Sequence, residues 1–92
     1  MIFEWDEGKA DANLRKHGVS FAEASTVFLD PTAVIFDDIW HSTQESREII
    51  IGYSEQNRLL LVSFTEREHE VIRIISSRET TRVESKRHEE ER

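Results

Sequence analysis

"FEWDEGKADANLRKHGVSFAEASTVFLDP", residues 3–31, decides the fold, because it writes two helices and the joint between them. Asp6 stands where an N-cap carboxylate accepts a backbone N–H. Trp5 precedes it and Ala10 lies four positions inside, which makes a weak hydrophobic staple. Gly18 ends this helix, since glycine takes the left-handed C′ conformation without steric cost, and Val19 falls where a Schellman motif places an apolar contact back to Leu14. Ser20 and Glu23 then form an S-x-x-E capping box. Phe21, Ala24 and Phe28 recur at helical spacing until Asp30-Pro31 stops the second helix. The joint at residues 17–20 reads mainly as a fold device, because Lys16 and His17 at a helix C-terminus also complement its dipole.

Beyond Pro31 the apolar period changes from helical to alternating. "TAVIFD" (32–37) is a short strand and "DIWHSTQES" (38–46) an exposed loop, in which Trp40 beside His41 makes a candidate contact surface. "REIIIGYS" (47–54), "RLLLVSFTE" (58–66) and "VIRIISS" (71–77) are strands separated by the hairpin-length turns "EQN" and "REHE". The expected result is an α+β domain over residues 1–92. Two N-terminal helices pack on a mainly antiparallel sheet of four to five strands, joined by "IFEW", and a C-terminal helix follows. Thr81 and Glu84 cap that last helix. Its only apolar residue is Val83, so it is expected to fray, dock lightly or await a partner.

Strict alternation along "VIRIISS" sends Val71, Arg73, Ile75 and Ser77 to one face, and Ile72, Ile74 and Ser76 to the other with Leu60, Val62 and Phe64. One face is then apolar and covered by the helices. The other carries Ser63, Thr65 and Arg73, with Arg67 and Arg78 at its rims.

The chain has 92 residues and a net charge of −7, which argues against a generally basic nucleic-acid binder. The distribution is uneven: residues 1–57 hold four basic and eleven acidic side chains, and residues 58–92 hold eight of each. A local positive surface is compatible with that asymmetry. Cysteine is absent, which excludes disulfides, a thiolate nucleophile and Cys-based metal clusters. His17, His41, His69 and His88 show no metal-ligand spacing. No apolar run reaches signal-peptide or membrane-spanning length, so the expectation is a cytoplasmic protein.

The stretches "FEWDEGKADANLRKHGVSFAEASTVFLDP", "RLLLVSFTER" and "RIISSRETTRVE" together resemble the BrnT toxins of type II toxin–antitoxin systems over nearly the whole chain. The resemblance implies a RelE-like fold and a metal-independent endoribonuclease that slows growth by cutting RNA. It also implies a cognate antitoxin protein as partner, contact with DNA only through that antitoxin, no cofactor and no membrane. Carried over residue by residue, it implies catalytic roles for Arg67, Arg78 and Arg47 and a supporting phosphate contact for Arg73; Lys16, at the helix joint, and Arg82 are further candidate RNA contacts. Two departures stand out: Ser46 replaces the family's usual glutamate before Arg47, leaving Glu45 or Glu48 to substitute as a base. His88 stands where relatives tend to have tyrosine, and a histidine there could serve as acid or base.

Chemistry agrees with those residue types. Metal-free RNA cleavage needs a base at the 2′-hydroxyl, cations on the phosphorane and an acid for the 5′-oxygen. A guanidinium binds phosphate oxygens bidentately and stays protonated at any working pH. Structural readings compete: Arg73 pairs with Glu48 on a neighbouring strand, Arg67 and Arg78 are solvated strand-end charges, and Trp5 is core. A catalytically inactive homologue that binds RNA or antitoxin is the main alternative. A helix-turn-helix DNA reader fits poorly, because "SFAEASTVFL" contains no basic residue.

Overall fold

The computed structural model describes residues 1–38 and 46–92. The elements run β1 (Ile2–Glu4), α1 (Glu7–His17), α2 (Phe21–Thr26) with a 3-10 turn (Val27–Leu29), and β2 (Val34–Asp37). They continue with β3 (Glu48–Tyr53), β4 (Leu59–Arg67), β5 (Val71–Glu79) and α3 (Arg82–Glu91). Among the described residues the strands form one mixed sheet in the order β1-β5-β4-β3-β2, antiparallel throughout except that β1 runs parallel to β5. The class is therefore α+β. Trp40, His41 and Glu45 lie outside the described residues.

The N-terminal joint is built as its residues dictate. Asp6 accepts the Lys9 N–H at 2.9 Å, and Gly18 (φ 69°) donates its N–H to the Leu14 carbonyl at 2.9 Å, which closes α1 with a left-handed cap. Val19 is fully buried in the core while Leu14 stays half exposed. Ser20 accepts the Glu23 N–H at 3.0 Å, but only this half of the expected capping box forms. The Glu23 carboxylate turns inward instead, taking the Arg58 guanidinium through both oxygens and the Ser54 hydroxyl at 2.7 Å. Arg58 also donates to the Gly18 carbonyl at 3.0 Å, so the helix joint is clamped to the β3–β4 hairpin. A bidentate pair partly shielded from water is the geometry in which arginine serves best.

Val19, Phe21, Ala24 and Val27 meet Ile50, Leu60, Val62, Phe64, Ile72 and Ile74 from the inner face of the sheet. Trp5 packs against this cluster, its ring 6.0 Å edge-on from Phe21, and Phe28 bridges Phe3 and Phe64. Each such burial contributes roughly 1.5–3 kcal/mol, and truncating Phe21 or Phe64 to alanine would cost about 3–5 kcal/mol.

Alternation along β5 fails at one point. Ser63 faces Ser76, but Phe64 faces Ile74, which leaves Ile75 as an extra residue opposite a single step of β4. This β-bulge reverses the facing of all that follows. Ser77 is opposite Val62 and buried on the core side, whereas Ser76 and Arg78 lie with Ser63 and Leu61 on the outer face. The expected placement of Ser76 and Ser77 is thus inverted, because an inserted residue shifts a period of two by one.

β1 covers β5 only from Val71 to Arg73, so the rest of that edge needs other partners. Asn13 supplies them: its Oδ1 accepts the Ser77 N–H at 3.0 Å, and its Nδ2 donates to the Ser77 and Val19 carbonyls at 2.8 and 2.9 Å. One buried amide therefore replaces a strand and ties α1 to β5 just beyond the bulge.

The polar helix α3 docks on the outer face rather than fraying. Thr81 and Glu84 complete their capping box, the Arg87 guanidinium lies 4.3 Å over the Phe36 ring, and His88 is buried against the edge of Tyr53. Val83, the apolar residue of α3, is 77 % exposed and contributes little to this docking.

Candidate functional site

Because the bulge turns Arg78 outward, it faces a cleft of about 550 Å³ between the end of α1, the outer sheet face and the start of α3. Lys16 and His17 enter from α1, Asp38 and Arg47 from the β2–β3 side, Ser63 and Ser76 from the floor, and Arg78 and Glu84 from the remaining wall. Of the residues read from the sequence as functional, the structure brings together Lys16, Arg47 and Arg78. The three cations outnumber the two carboxylates, Asp38 and Glu84, in the same lining, and this excess with the serine hydroxyls suits a phosphodiester.

Arg78 is held rigidly in place. Its two terminal nitrogens donate to the two oxygens of Glu84 at 2.7 and 2.8 Å, and one also reaches the Glu79 carbonyl at 3.2 Å. The hydrogen bonds from Arg78 are the largest influence on the Glu84 carboxyl and hold it below its ordinary value against the opposing effect of burial. Glu84 thus stays ionised, and its carboxylate occupies donors that a phosphate would want. The same Glu84 accepts the Thr81 N–H at 2.9 Å, so the start of α3 and the setting of Arg78 are fixed together.

The other expected residues lie elsewhere. Arg67 is opposite Val71 while Arg78 is opposite Leu61. Six residues of β4 separate them, roughly 20 Å at ~3.3 Å per residue. Arg67 sits in a separate hollow of about 650 Å³ with Glu4, Glu66, Glu68 and Val71, where three carboxylates surround one guanidinium. Arg73 pairs with Glu4 at 3.8 Å, not with Glu48. Arg82 is exposed at the first position of α3. His88 does not line the cleft: its Nε2 is 2.8 Å from the Thr32 carbonyl and the side chain is buried under Tyr53. Ser46 is exposed, and the Glu48 carboxyl is pushed up by burial first and then by the charges of Glu66 and Asp37.

Sequence reasoning missed the cleft position of His17 and Asp38. The capping rules that explained His17 locally gave no reason to look for it opposite β5, and the signal is only a histidine beside a lysine at a helix end. Among the described residues, no group of three or more His, Asp or Glu side chains converges as a metal site, and no helix is long and apolar enough to cross a membrane.

Comparison with known proteins agrees with this architecture. No curated protein matches the chain. A solved structure does: the crystal structure of the Brucella abortus ribonuclease toxin BrnT is similar with a TM-score of 0.67 and 26 % identity, covering 89 % of this chain and all of that one. The family model for the ribonuclease toxin BrnT of type II toxin–antitoxin systems matches residues 5–84. The match spans both N-terminal helices, the whole sheet from β2 onward and the Arg78–Glu84 pair, and the chain belongs to the BrnT family of type II toxin–antitoxin ribonuclease toxins.

Proposed function

We propose that this chain is a RelE-like toxin that cuts RNA without a metal ion, in the cleft between α1, β5 and α3. The observation that carries the reading is the bulge at Ile75, which sets Arg78 on the outer face where Lys16 and Arg47 also converge. Arg47 and Arg78 hold the scissile phosphate and the charge that grows on it, and Lys16 steadies a neighbouring phosphate. RNA must compete with Glu84 for the Arg78 donors, which sets a threshold for productive binding. Arg67 and Arg73 lie beyond the cleft and extend contact along the strand at most. His88 acts as a buried strut that docks α3, since its ring nitrogen is engaged by the Thr32 carbonyl.

A cognate antitoxin neutralises the toxin in the cytoplasm by covering this cationic wall, and any DNA contact belongs to the antitoxin. The second reading, a homologue without catalysis, is favoured by two observations: Ser46 in place of the family's glutamate, and Glu84 already seated on Arg78.

Induction of the chain in a bacterial host, with total RNA analysed beside the Arg78→Ala variant, separates the readings. Growth arrest with fragmented RNA, both lost in the folded variant, supports the ribonuclease. A folded, abundant chain that neither arrests growth nor cleaves purified RNA supports the inactive homologue. Cleavage that persists in excess chelator is expected, and its abolition would overturn metal independence.

A further inference from the structure

A second hollow adjoins the cleft on the outer face of the sheet, and the phosphate contacts described above leave it unused. Its volume is about 370 Å³, and it shares Asp38, Ile49, Leu61 and Glu84 with the cationic cleft. Its floor follows from the strand register. Phe36 lies opposite Ile49 and Ile51 lies opposite Leu61, which sets these four apolar side chains next to one another. The far wall is α3, where Val83 and Arg87 stand one turn apart on a stripe beside Glu84 and His88. An apolar floor beside a cationic seat is what distinguishes the two hollows.

Arg87 gives this slot a flat polar surface. Its guanidinium lies 4.3 Å from the centre of the Phe36 ring, and its Nε is 3.6 Å from the Glu91 carboxylate one turn on, so the plane is held from two sides. The side chain nonetheless stays 61 % exposed, which leaves room for a second ring on the guanidinium. Nucleobases stack on guanidinium planes as they do on aromatic faces. Each phosphate of RNA is one sugar away from a base, so a phosphate among Lys16, Arg47 and Arg78 brings a neighbouring base to the shared wall of Ile49 and Leu61. An acidic protein segment would suit the cations alone: its next carboxylate would meet Asp38 and Glu84 along that wall, whereas a base carries no charge there.

We propose that this slot is a nucleobase subsite, in which a base flanking the phosphate in the cleft stacks on Arg87 over the apolar floor, with Val83 closing the side. The assignment rests on the reading of the cleft as an RNA site. It gives α3 a second purpose, since the helix that seats Glu84 on Arg78 also carries the stacking surface. Stacking needs only a π face, so the larger purines gain most and no single base is demanded. Its contribution is less sensitive to salt than the phosphate contacts beside it.

Two probes separate base from phosphate: a short oligoadenylate, and the abasic sugar–phosphate chain of the same length and charge. Both carry fluorine in place of every 2′-hydroxyl, so neither is cut. The native chain should bind the oligoadenylate roughly 5–100-fold more tightly than the abasic chain. Arg87→Lys keeps the charge and removes the plane, so it should lose most of that preference while its affinity for the abasic chain stays within about twofold of native. Val83→Ala, at a side chain 77 % exposed, should shrink the preference by about two- to threefold without disturbing the fold. Equal affinity of the native chain for both probes would overturn the subsite, as would equal losses on both in an Arg87→Lys variant with a native melting curve. An undiminished preference in Val83→Ala would overturn it however Arg87→Lys folds. Unchanged binding of both probes by Arg87→Lys, with neutralisation by the antitoxin lost, would give the slot to that protein and overturn the proposal. A native chain that shows the preference yet leaves unmodified RNA uncut would support the subsite and overturn the ribonuclease reading alone. One that binds neither probe and cuts no RNA would overturn both.

Discussion

The two ends of the β4–β5 hairpin carry the same side-chain types in opposite settings. Where β4 begins and β5 finishes, Arg58 holds Glu23 and Arg78 holds Glu84, and both carboxyls are kept below their ordinary values chiefly by those guanidinium hydrogen bonds. Where β4 finishes and β5 begins, Glu4, Glu66 and Glu68 crowd Arg67, and nearby Glu48 is pushed up by burial and by the charges of Glu66 and Asp37. Composition cannot separate these ends, since each holds arginine and glutamate. Facing and partner geometry do, and they leave a cationic cleft at one end and an acidic hollow at the other. A phosphate is attracted to the first and repelled by the second.

The comparison breaks most visibly at Arg78. Arg78→Ala should reduce RNA cleavage by about 10²–10³-fold, the scale on which a single donor to developing charge acts, and should abolish growth arrest. Activity within a fewfold of native in the folded variant would place the chemistry elsewhere. Its fold should persist, because the guanidinium side chain is 37 % exposed and no hydrophobic contact of the core depends on it.

Asn13 tests how the cationic end is held. Asn13→Ala leaves the Ser77 N–H and two carbonyls without partners in a buried place. That should cost at least about 3 kcal/mol of stability, given roughly 1–3 kcal/mol for each of the three unsatisfied buried groups. A denaturant midpoint within error of native would show that Asn13 does not secure the strand edge. Asn13→Ala should also weaken cleavage, because the Ser76–Arg78 segment leans on that contact.

Acid titration sharpens the contrast of the two ends. Glu23 and Glu84 have lowered folded values, so their contribution is whole above about 4.5, the ordinary value, and is lost as pH falls through the lower one. Glu48 has a raised folded value, so it costs stability at neutral pH and that cost is relieved on acidification. Melting temperature against pH should therefore fall less steeply below 4.5 in Glu23→Gln than in the native chain. Glu48→Gln should melt higher than native at pH 7, with the gain shrinking towards acid. Parallel curves for both variants would refute the assignment of opposite environments.

Much of the fold is legible in the sequence where the cause is local. Asp6, Gly18, Ser20 and Pro31 act on their own neighbours, and the helix joint follows from them. The strands follow from their β-branched runs. What escapes reading is set by distant partners. Glu23 has the spacing of a capping box, yet it serves Arg58, a residue 35 positions away. "VIRIISSRE" contains no glycine or proline to announce a bulge, so the inversion of Ser76 and Ser77 is invisible until β4 is placed beside it. The docking of α3 is hidden from hydropathy for a related reason, since it rests on His88 and Arg87 rather than on Val83. The cleft was only half legible: Arg47, Arg78 and Lys16 were visible as cations, but their convergence depends on the bulge, whereas the place of Arg67 in the turn of the β4–β5 hairpin already sets it at the end opposite Arg78.

The smallest expected effect is at that opposite end. Arg67 approaches Glu4 at 3.4 Å, with side chains 53 % and 41 % exposed. An exposed pair of this kind contributes at most about 1 kcal/mol and is weakened by salt. Arg67→Ala should therefore change stability by less than that and leave cleavage within about threefold of native, while Arg78→Ala lowers it by about 10²–10³-fold. The comparison is demanding because the two arginines share a hairpin, a face and a residue type. If Arg67→Ala proved as inactive as Arg78→Ala, RNA would have to span the outer face from cleft to acidic hollow, and the site would be a groove along β4 and β5. A null result confines the reacting phosphate to the end where Lys16, Arg47 and Arg78 meet.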